Sequence, residues 1–331
     1  MATIKDVALL AGVSLATVSR VVAGGAPVKS ATRNKVLQAI KTLHYTPNQA
    51  ARSLASKQSH TIGMVLSDLG AGYFGVAAGS AESRLRAFDK QVIIASGHNS
   101  YEGELEAVNF LINRQVDALI LMTGHLVAED FARIDQICPI FTLNQPFRHS
   151  QAKATLLNNQ FGGYLATKHL LENGHRQLAY LSGPIHKEDA TERFLGHQTA
   201  LKEYQLPKSK NHYQGDYSIT SGTQLMLKIL DKEPYITAVA CGNDLMALGA
   251  LEACRQCNIP VPQQVSIIGF DNNELGQYLT PRLSTIHFPL TDMAIATADL
   301  LLNHVYQKKL PSTAVFQPHL VIRDSVKKLV L

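Results

Sequence analysis

The chain has 331 residues, of which 46% are hydrophobic and 17% are charged. That length allows two or three domains, and the composition excludes both a disordered chain and a peptide-sized module. The net charge of +5 is distributed unevenly, because residues 1–60 hold eight basic residues and one acidic residue while the remainder is near neutral. We therefore expect a small basic head that binds a polyanion, attached to a near-neutral body.

The sequence shows no signal for export or for a membrane. Its N-terminus lacks an apolar core with a small-residue cleavage site, and no stretch approaches the roughly 18 apolar residues that span a bilayer. The four cysteines are too few for a disulfide framework in a chain of this length. Cys254 and Cys257 form a CxxC motif inside an apolar helical pattern, without a second pair. We expect a soluble, cytoplasmic protein with no metal, no cofactor and no membrane partner.

The first residues predict a helix, a tight turn and a second helix. Apolar residues recur at helical spacing from Ile4 to Ala11, Gly12 interrupts the pattern, and Ser14 begins the second helix. Two helices joined by a short glycine-containing turn are typical of a protein that inserts a helix into the DNA major groove. The polar side of the second helix carries groups that suit phosphates and base edges, namely Thr17, Ser19 and Arg20.

A third helix is predicted over residues 30–43, and it completes a minimal core for the head. Pro47 ends that region, because proline disfavours helical geometry at the residue before it. The segment that follows, residues 48–55, has the length of two helical turns, which is marginal for an isolated helix in water. We expect this segment to fold only with a partner.

Three runs of the head, residues 2–8, 11–14 and 16–21, lie in register at the extreme N-terminus. They resemble the opening of the lactose/galactose repressor family (LacI/GalR) of bacterial transcription regulators. The resemblance implies that Leu15 and Ala16 select operator bases, and because both are apolar we expect contacts with thymine methyl groups. It also implies a hinge helix that pairs with its dimer mate over the minor groove, with Leu54 wedged between central base pairs. The residues assigned to DNA contact are Thr3, Ser14, Leu15, Ala16, Thr17, Ser19, Arg20, Asn48, Ala51 and Leu54.

From residue 61 onward, short apolar runs alternate with longer helical patterns, which is typical of a parallel α/β sheet. Two such sets predict two similar, doubly wound lobes, and the resemblance implies a body like that of periplasmic sugar-binding proteins. The predicted domains are a helix-turn-helix head (1–46), a hinge helix and linker (47–60), and a two-lobed effector-binding and dimerisation domain (61–331). The first lobe is expected at 61–157 and 290–318, and the second at 158–289 and 319–331.

Ligands of doubly wound sheets bind outside the carboxyl ends of the strands, which here means the cleft between the lobes. Carboxylates, amides and an arginine beside aromatic faces suit a small polyhydroxyl ligand. The residues that follow the predicted strand ends or begin the helices there are Asp68, Phe74, Asn144, Phe147, Arg193, Asn243, Asp271 and Phe288. Asn243 also suits a helix cap. The loop before Phe74 departs from the family pattern, which leaves open whether Tyr73 or Phe74 faces a ligand.

The sequence favours a regulator over an enzyme. A GxSxG elbow, an HExxH motif and a P-loop lysine are all absent from it. We predict a homodimeric, effector-controlled regulator that binds near-palindromic operator DNA and represses a carbohydrate-utilisation operon. A sugar of the galactose or β-glucoside type is expected to release it, since the sequence looks most similar to that branch of the family. A purine co-repressor and a DNA-free sugar-binding protein remain as alternatives.

Overall fold

The computed structural model describes residues 2–23, 28–45, 58–70, 72–146, 153–207 and 211–329. The predicted hinge-helix residues Asn48, Ala51 and Leu54 lie outside the described residues, as does Phe147. Among the residues it describes, no helix is long and apolar enough to cross a membrane.

The described part of the head, residues 2–23 and 28–45, contains three helices, α1 (Ile4–Ala11), α2 (Leu15–Ala23) and α3 (Ser30–Thr42). Gly12 ends α1 with a φ of 65°, in the left-handed region that costs glycine least, and this turn directs the chain into α2. The apolar stripes of the three helices meet in one small core that includes Val7, Val18 and Val36, each with no exposed surface.

The first lobe is a six-stranded sheet with the strand order β11-β5-β4-β3-β1-β2, in which all pairs are parallel. Its strands are β1 (Thr61–Leu66), β2 (Gln91–Ser96), β3 (Ala118–Met122), β4 (Ile140–Leu143), β5 (Ala154–Leu157) and β11 (Val315–Phe316). Its helices are α4 (Gly72–Arg86), α5 (Tyr101–Asn113), α6 (Ala128–Ile137) and α11 (Leu290–Tyr306). Strand β3 is buried on both faces, as expected of a central parallel strand.

The second lobe is a six-stranded sheet with the order β12-β10-β9-β8-β6-β7, in which only the edge strand β12 is antiparallel. Its strands are β6 (Leu178–Ser182), β7 (His212–Gln214), β8 (Ala238–Cys241), β9 (Ser266–Asp271), β10 (Ser284–His287) and β12 (His319–Val321). Its helices are α7 (Asn159–Glu172), α8 (Glu188–Glu203), α9 (Ile219–Lys232) and α10 (Asp244–Gln256).

Three crossings connect the lobes: β5 leads into α7, β10 leads into α11, and β11 leads into β12. One hydrophobic core runs through both lobes along these crossings, from Ile62 in β1 to Phe270 in β9 and Met293 in α11. The carboxyl ends of the parallel strands in the two sheets therefore border one cleft. Helix α8 begins at Glu188, which places Asp189 in its first turn.

Candidate functional site

The predicted DNA-binding face of the head is exposed. Ser14 caps α2, since its Oγ accepts the backbone N–H of Thr17 at 3.2 Å and lies 2.9 Å from the Thr17 hydroxyl. Leu15 is 45% exposed although it is a large apolar residue, and Ala16, Ser19 and Arg20 are exposed beside it. The beginning of α2 thus presents hydroxyls, one guanidinium and one apolar side chain to solvent.

Thr3 is exposed at the start of α1, where it has a local structural role. Both its backbone N–H and its hydroxyl donate to Asp6 Oδ2 at 2.8 Å. These hydrogen bonds hold the pKa of Asp6 below its usual value, the backbone hydrogen bond having the larger effect. The pair fixes the first turn of α1, at the end of that helix away from Gly12.

Arg193 is the centre of a polar cluster in the second lobe, beside the cleft where the sequence predicts a ligand; we call Arg193, Asn159, Asp189 and Asp271 the Arg193 cluster. Its guanidinium is 3% exposed and lies over the ring of Phe270, with Cζ 3.8 Å from the ring centroid. Nε donates to Asn159 Oδ1 at 3.0 Å, and Nη1 donates to the carbonyl oxygen of Gly242 at 2.7 Å. The cation is therefore fixed by one amide, one carbonyl and one aromatic face.

Two glycines place Arg193 within reach of Asn159. A Cβ on Gly163 of α7 would lie 2.0 Å from the carbonyl oxygen of Arg193, and one on Gly196 of α8 would lie 1.9 Å from that of Gln160. Because neither position carries a side chain, α7 and α8 pack with their backbones in close approach. This contact brings Arg193 from α8 to the first residue of α7.

Two carboxylates flank the guanidinium on the cleft side. Asp189 Oδ2 lies 3.6 Å from Arg193 Nη2, and Asp271 Oδ1 lies 3.7 Å from Nη1, with 22% of each carboxylate side chain exposed. Asp189 also accepts the hydroxyl of Tyr217 at 3.0 Å. Burial raises the pKa of Asp271, while the Arg193 cation acts in the opposite direction. Asp271 has a φ of 118°, a backbone strain of the kind that concentrates at functional sites.

Aromatic rings from the first turn of α4 and from the segment between β10 and α11 stack on each other near Asp271 and Asp189. Tyr73 of α4 stacks on Phe288 with ring centroids 5.6 Å apart and an interplanar angle of 15°. Burial, followed by the carboxylates of Asp271 and Asp189, raises the pKa of Tyr73 well above its usual value. Of the two neighbours in α4, Tyr73 is thus the one close to the Arg193 cluster, and Phe74 meets it edge to face at 5.4 Å.

The other predicted cleft residues have local partners of their own. Asn243 caps α10 through its Oδ1, which accepts Met246 N–H at 2.9 Å, and its Nδ2 donates to the carbonyl oxygen of Tyr217. Asn144 Oδ1 accepts from Asn159 Nδ2 at 3.1 Å, so it supports the amide that binds Arg193. Asp68 is exposed and accepts only the N–H of Gly70, at 2.8 Å, among the described contacts. The structure therefore groups Arg193, Asp271 and Phe288, and places Asn243 and Asn144 in support.

Sequence reasoning missed three members of this site, Asp189, Asn159 and Tyr217, and it left open whether Tyr73 or Phe74 is the stacking face. Asp189 precedes Arg193 by four residues, the spacing that places two side chains on one face of a helix, so the pair carried a detectable signal. Asn159 and Tyr217 had none, because their roles depend on packing between α7, α8 and the segment before α9. Among the described residues, no group of three or more His, Cys, Asp or Glu side chains is arranged to hold a metal ion.

Comparison with known proteins identifies this architecture. Residues 3–48 match the family model described as bacterial regulatory proteins, lacI family, and residues 167–326 match a periplasmic binding protein-like domain. The chain is 36% identical over 334 residues to the HTH-type transcriptional repressor PurR of Vibrio parahaemolyticus serotype O3:K6 (strain RIMD 2210633), covering 99% of this chain and 100% of the relative. The chain belongs to the lacI family of bacterial regulatory proteins.

Two further comparisons agree with that assignment. The HTH-type transcriptional regulator GalR of Escherichia coli (strain K12) is 35% identical over 329 residues, covering 98% of this chain and 96% of GalR. The lac repressor dimer bound to operator and the anti-inducer ONPF superposes with a TM-score of 0.87 at 29% identity, covering 98% of this chain and 99% of the other. This lacI-family chain is therefore a DNA-binding transcriptional repressor with an effector domain like a periplasmic binding protein, and its relatives are regulators, not enzymes.

Proposed function

We propose that this repressor controls a carbohydrate-utilisation operon and is released from its operator by a small, uncharged sugar. The observation that carries the proposal is the pair of partly exposed carboxylates, Asp189 and Asp271, on the two sides of the buried Arg193 guanidinium. Carboxylates and a guanidinium bind adjacent hydroxyls in a bidentate manner, and the half-buried ring of Tyr73, backed by the buried ring of Phe288, supplies an apolar wall for the face of a sugar ring.

A purine co-repressor is the second candidate. Sequence identity does not separate the two, since the PurR and GalR relatives differ by one percentage point. A stacking ligand would use Tyr73 and Phe74, which are both half-buried. Phe161 adds nothing evident to such a site, because its ring stacks on Tyr164, 6.0 Å away on the same helix. Two carboxylates and one arginine favour a ligand rich in hydroxyl groups over a flat base.

On this proposal the protein acts as a homodimer on nucleoid DNA in the bacterial cytoplasm. Two heads bind two half-sites of a near-palindrome, and residues 48–55 form a hinge helix there, with Leu54 inserted into the minor groove. A ligand that changes lobe closure alters the spacing of the two hinges. Reciprocity then requires operator DNA to weaken ligand binding by the same factor by which the ligand weakens operator binding.

Thermal unfolding of the purified protein tests the effector. The panel contains galactose, a β-glucoside, a sugar phosphate, hypoxanthine and guanine. A ligand at about 100 times its Kd adds roughly 2.7 kcal/mol to the free energy of unfolding, which raises Tm by a few degrees. A shift with an uncharged sugar supports the proposal. A shift with a purine alone would reverse the sign of regulation and overturn the sugar assignment.

The proposed operator binding is tested separately, by measuring operator affinity as a function of salt concentration. With roughly 6 to 10 phosphate contacts, operator affinity should fall by about 10³ to 10⁵ between 50 and 200 mM salt. A truncated chain that begins at residue 58 keeps both lobes and lacks the basic head, so it is the control and should show no operator binding. A flat salt response of the full chain would contradict the proposed operator contacts.

A further inference from the structure

A polar cluster lies at the amino ends of the first-lobe strands, which is the edge of the sheet opposite to the ligand cleft. Asp117 immediately precedes β3, while Ser59 and His60 immediately precede β1. Tyr306 is the last residue of α11, and Lys90 immediately precedes β2. We call Ser59, His60, Lys90, Asp117 and Tyr306 the linker clamp, since the segment between the head and the body joins the body at this point.

One carboxylate organises the linker clamp. Asp117 Oδ1 accepts the backbone N–H of Ser59 at 2.6 Å and its hydroxyl at 3.0 Å. Asp117 Oδ2 accepts the backbone N–H of His60 at 2.8 Å and the hydroxyl of Tyr306 at 2.5 Å. Hydrogen bonds to a charged acceptor are about twice as strong as neutral ones. Two successive backbone amides are therefore fixed in place, which sets the direction in which the chain leaves β1 toward the head.

Lys90 contacts two other members of the linker clamp, His60 and Tyr306. Its Nζ lies 2.9 Å from His60 Nδ1 and 3.9 Å from the centroid of the Tyr306 ring. The Lys90 residue is 8% exposed, and burial lowers its pKa. The rings of His60 and Tyr306 are stacked, with centroids 6.1 Å apart. The buried Lys90 cation therefore contacts both rings and lies near Asp117, and these contacts hold the loop residues before β1 and β2 in place.

Helix α11 connects this cluster with the ligand cleft. It begins at Leu290, two residues after Phe288, whose ring stacks on Tyr73 in the cleft. It ends at Tyr306 in the linker clamp after 17 residues, a rise of about 25 Å. Arg84 of α4 binds Asp299 of α11 through two hydrogen bonds of 2.6 and 3.1 Å, so the helix that carries Tyr73 is also joined to α11 at a point between its two ends.

We propose that Asp117 and Tyr306 are positioning residues for operator binding, which transmit the position of α11 to the point where the linker joins the body. This inference goes beyond the proposed function, because it holds whichever ligand occupies the cleft. A fixed exit direction limits the distances that two heads of a dimer can adopt. It thereby raises the effective concentration of the second head at the second half-site.

Tyr306→Phe is the decisive variant, since it removes one hydroxyl and keeps the ring beside His60 and Lys90. Asp117→Asn is the second variant and weakens every hydrogen bond to the carboxylate. Tyr164→Phe is the matched control, because Tyr164 likewise donates its hydroxyl to a carboxylate, that of Glu203 at 2.6 Å, at an exposed site on α7. Each full-length protein is titrated with an operator duplex, selected from a random library for binding to the wild-type protein. It is also titrated with an unrelated duplex of the same length at the same salt concentration.

We expect Tyr306→Phe to lower the ratio of operator affinity to unrelated-duplex affinity by about fivefold or more, the lower end of common coupling energies. Affinity for the unrelated duplex should stay within about twofold, because it depends on phosphate contacts made by the head. Tm should match that of Tyr164→Phe. The proposal is overturned if Tyr306→Phe leaves the ratio unchanged, if Tyr164→Phe lowers it equally, or if affinity for both duplexes falls in parallel. Tyr306→Phe decides the matter even if Asp117→Asn does not fold.

Discussion

The ring of Tyr73 is stacked on that of Phe288, and this contact joins the first turn of α4 to the segment that leads from β10 of the second lobe into α11 of the first. Phe74, the residue assigned as the stacking face from the sequence, meets Tyr73 with its edge at an interplanar angle of 85°. The structure therefore makes Tyr73 the aromatic side chain between the crossing and the Arg193 cluster. The assignment of Phe74 to ligand binding stays a prediction that the next experiment tests.

Tyr73→Ala should weaken binding of the effector more than Phe74→Ala. Loss of one aromatic face costs about 1 kcal/mol beyond lost area, or roughly fivefold in affinity. The measurement is the Kd of whichever panel sugar raises the wild-type Tm, by calorimetry. Phe74→Ala is the control on the adjacent position of the same helix. A larger loss with Phe74→Ala would restore the assignment made from the sequence.

Arg193→Met should destabilise the body strongly. The change leaves Asp189 and Asp271 without their cation and leaves the oxygens of Asn159 and Gly242 without a donor. Removing one partner of a buried ion pair costs about 3 to 5 kcal/mol, measurable by urea unfolding. Arg255→Met is the control, because Arg255 pairs with Glu252 on the surface of α10 and is 74% exposed. Equal losses in the two variants would contradict a central role for Arg193.

His197 should make the second lobe sensitive to acid. Its Nδ1 lies 2.9 Å from the hydroxyl of Thr167, which itself donates to the carbonyl oxygen of Gly163, so Nδ1 carries the proton. Its Nε2 is buried without a hydrogen-bond partner in the described structure. Burial, with a smaller effect of His212, lowers the pKa of His197 to about 3.

In the unfolded chain His197 is protonated below its ordinary pKa of 6.5, whereas in the folded protein it stays neutral until the pH approaches 3. The free energy of unfolding therefore decreases as the pH falls from 6.5 toward 3. Between pH 7 and pH 5 this loss amounts to about 2 kcal/mol. In His197→Phe the drop in unfolding free energy between those pH values should be smaller by that amount. His304→Phe, at an exposed histidine of α11, should keep the wild-type drop. An unchanged drop in His197→Phe would show that other groups set the acid sensitivity.

Leu15 should contact a thymine methyl group in the operator. Its side chain is 45% exposed at the first position of α2, where a large apolar residue gains from burial against DNA. Replacing thymines one at a time by deoxyuridine removes only the methyl group, and one such change should cost about 0.8 kcal/mol, roughly fourfold in Kd. Leu15→Ala should be insensitive at that same base pair. A variant that keeps the sensitivity would assign the contact to another residue.

Most regular elements follow from local patterns in the sequence. The predicted helix of residues 30–43 is observed as Ser30–Thr42, and the apolar run of residues 118–121 is observed as Ala118–Met122. In these elements the apolar residues occur with the spacing expected of a helix or of a buried strand, and this spacing is visible in the local sequence. The strands β5, β7, β11 and β12 were not predicted. They have two to four residues each, lie at or next to a sheet edge, and owe their conformation to the strand beside them.

The sequence by itself determined the basic head, the order of the helices and of most strands, and the family, because each of these depends on residues that are neighbours in the chain. It also predicted that Arg193 and Asp271 lie at the cleft. Only the tertiary structure decided that Asp189 and Tyr73 face them and that Asn243 acts as a helix cap. It alone decided that Asp117 fixes the start of the body. The residues in these relationships come together only because separate helices and strands pack against each other. Such contacts produce no periodic pattern of residue types along a single sequence.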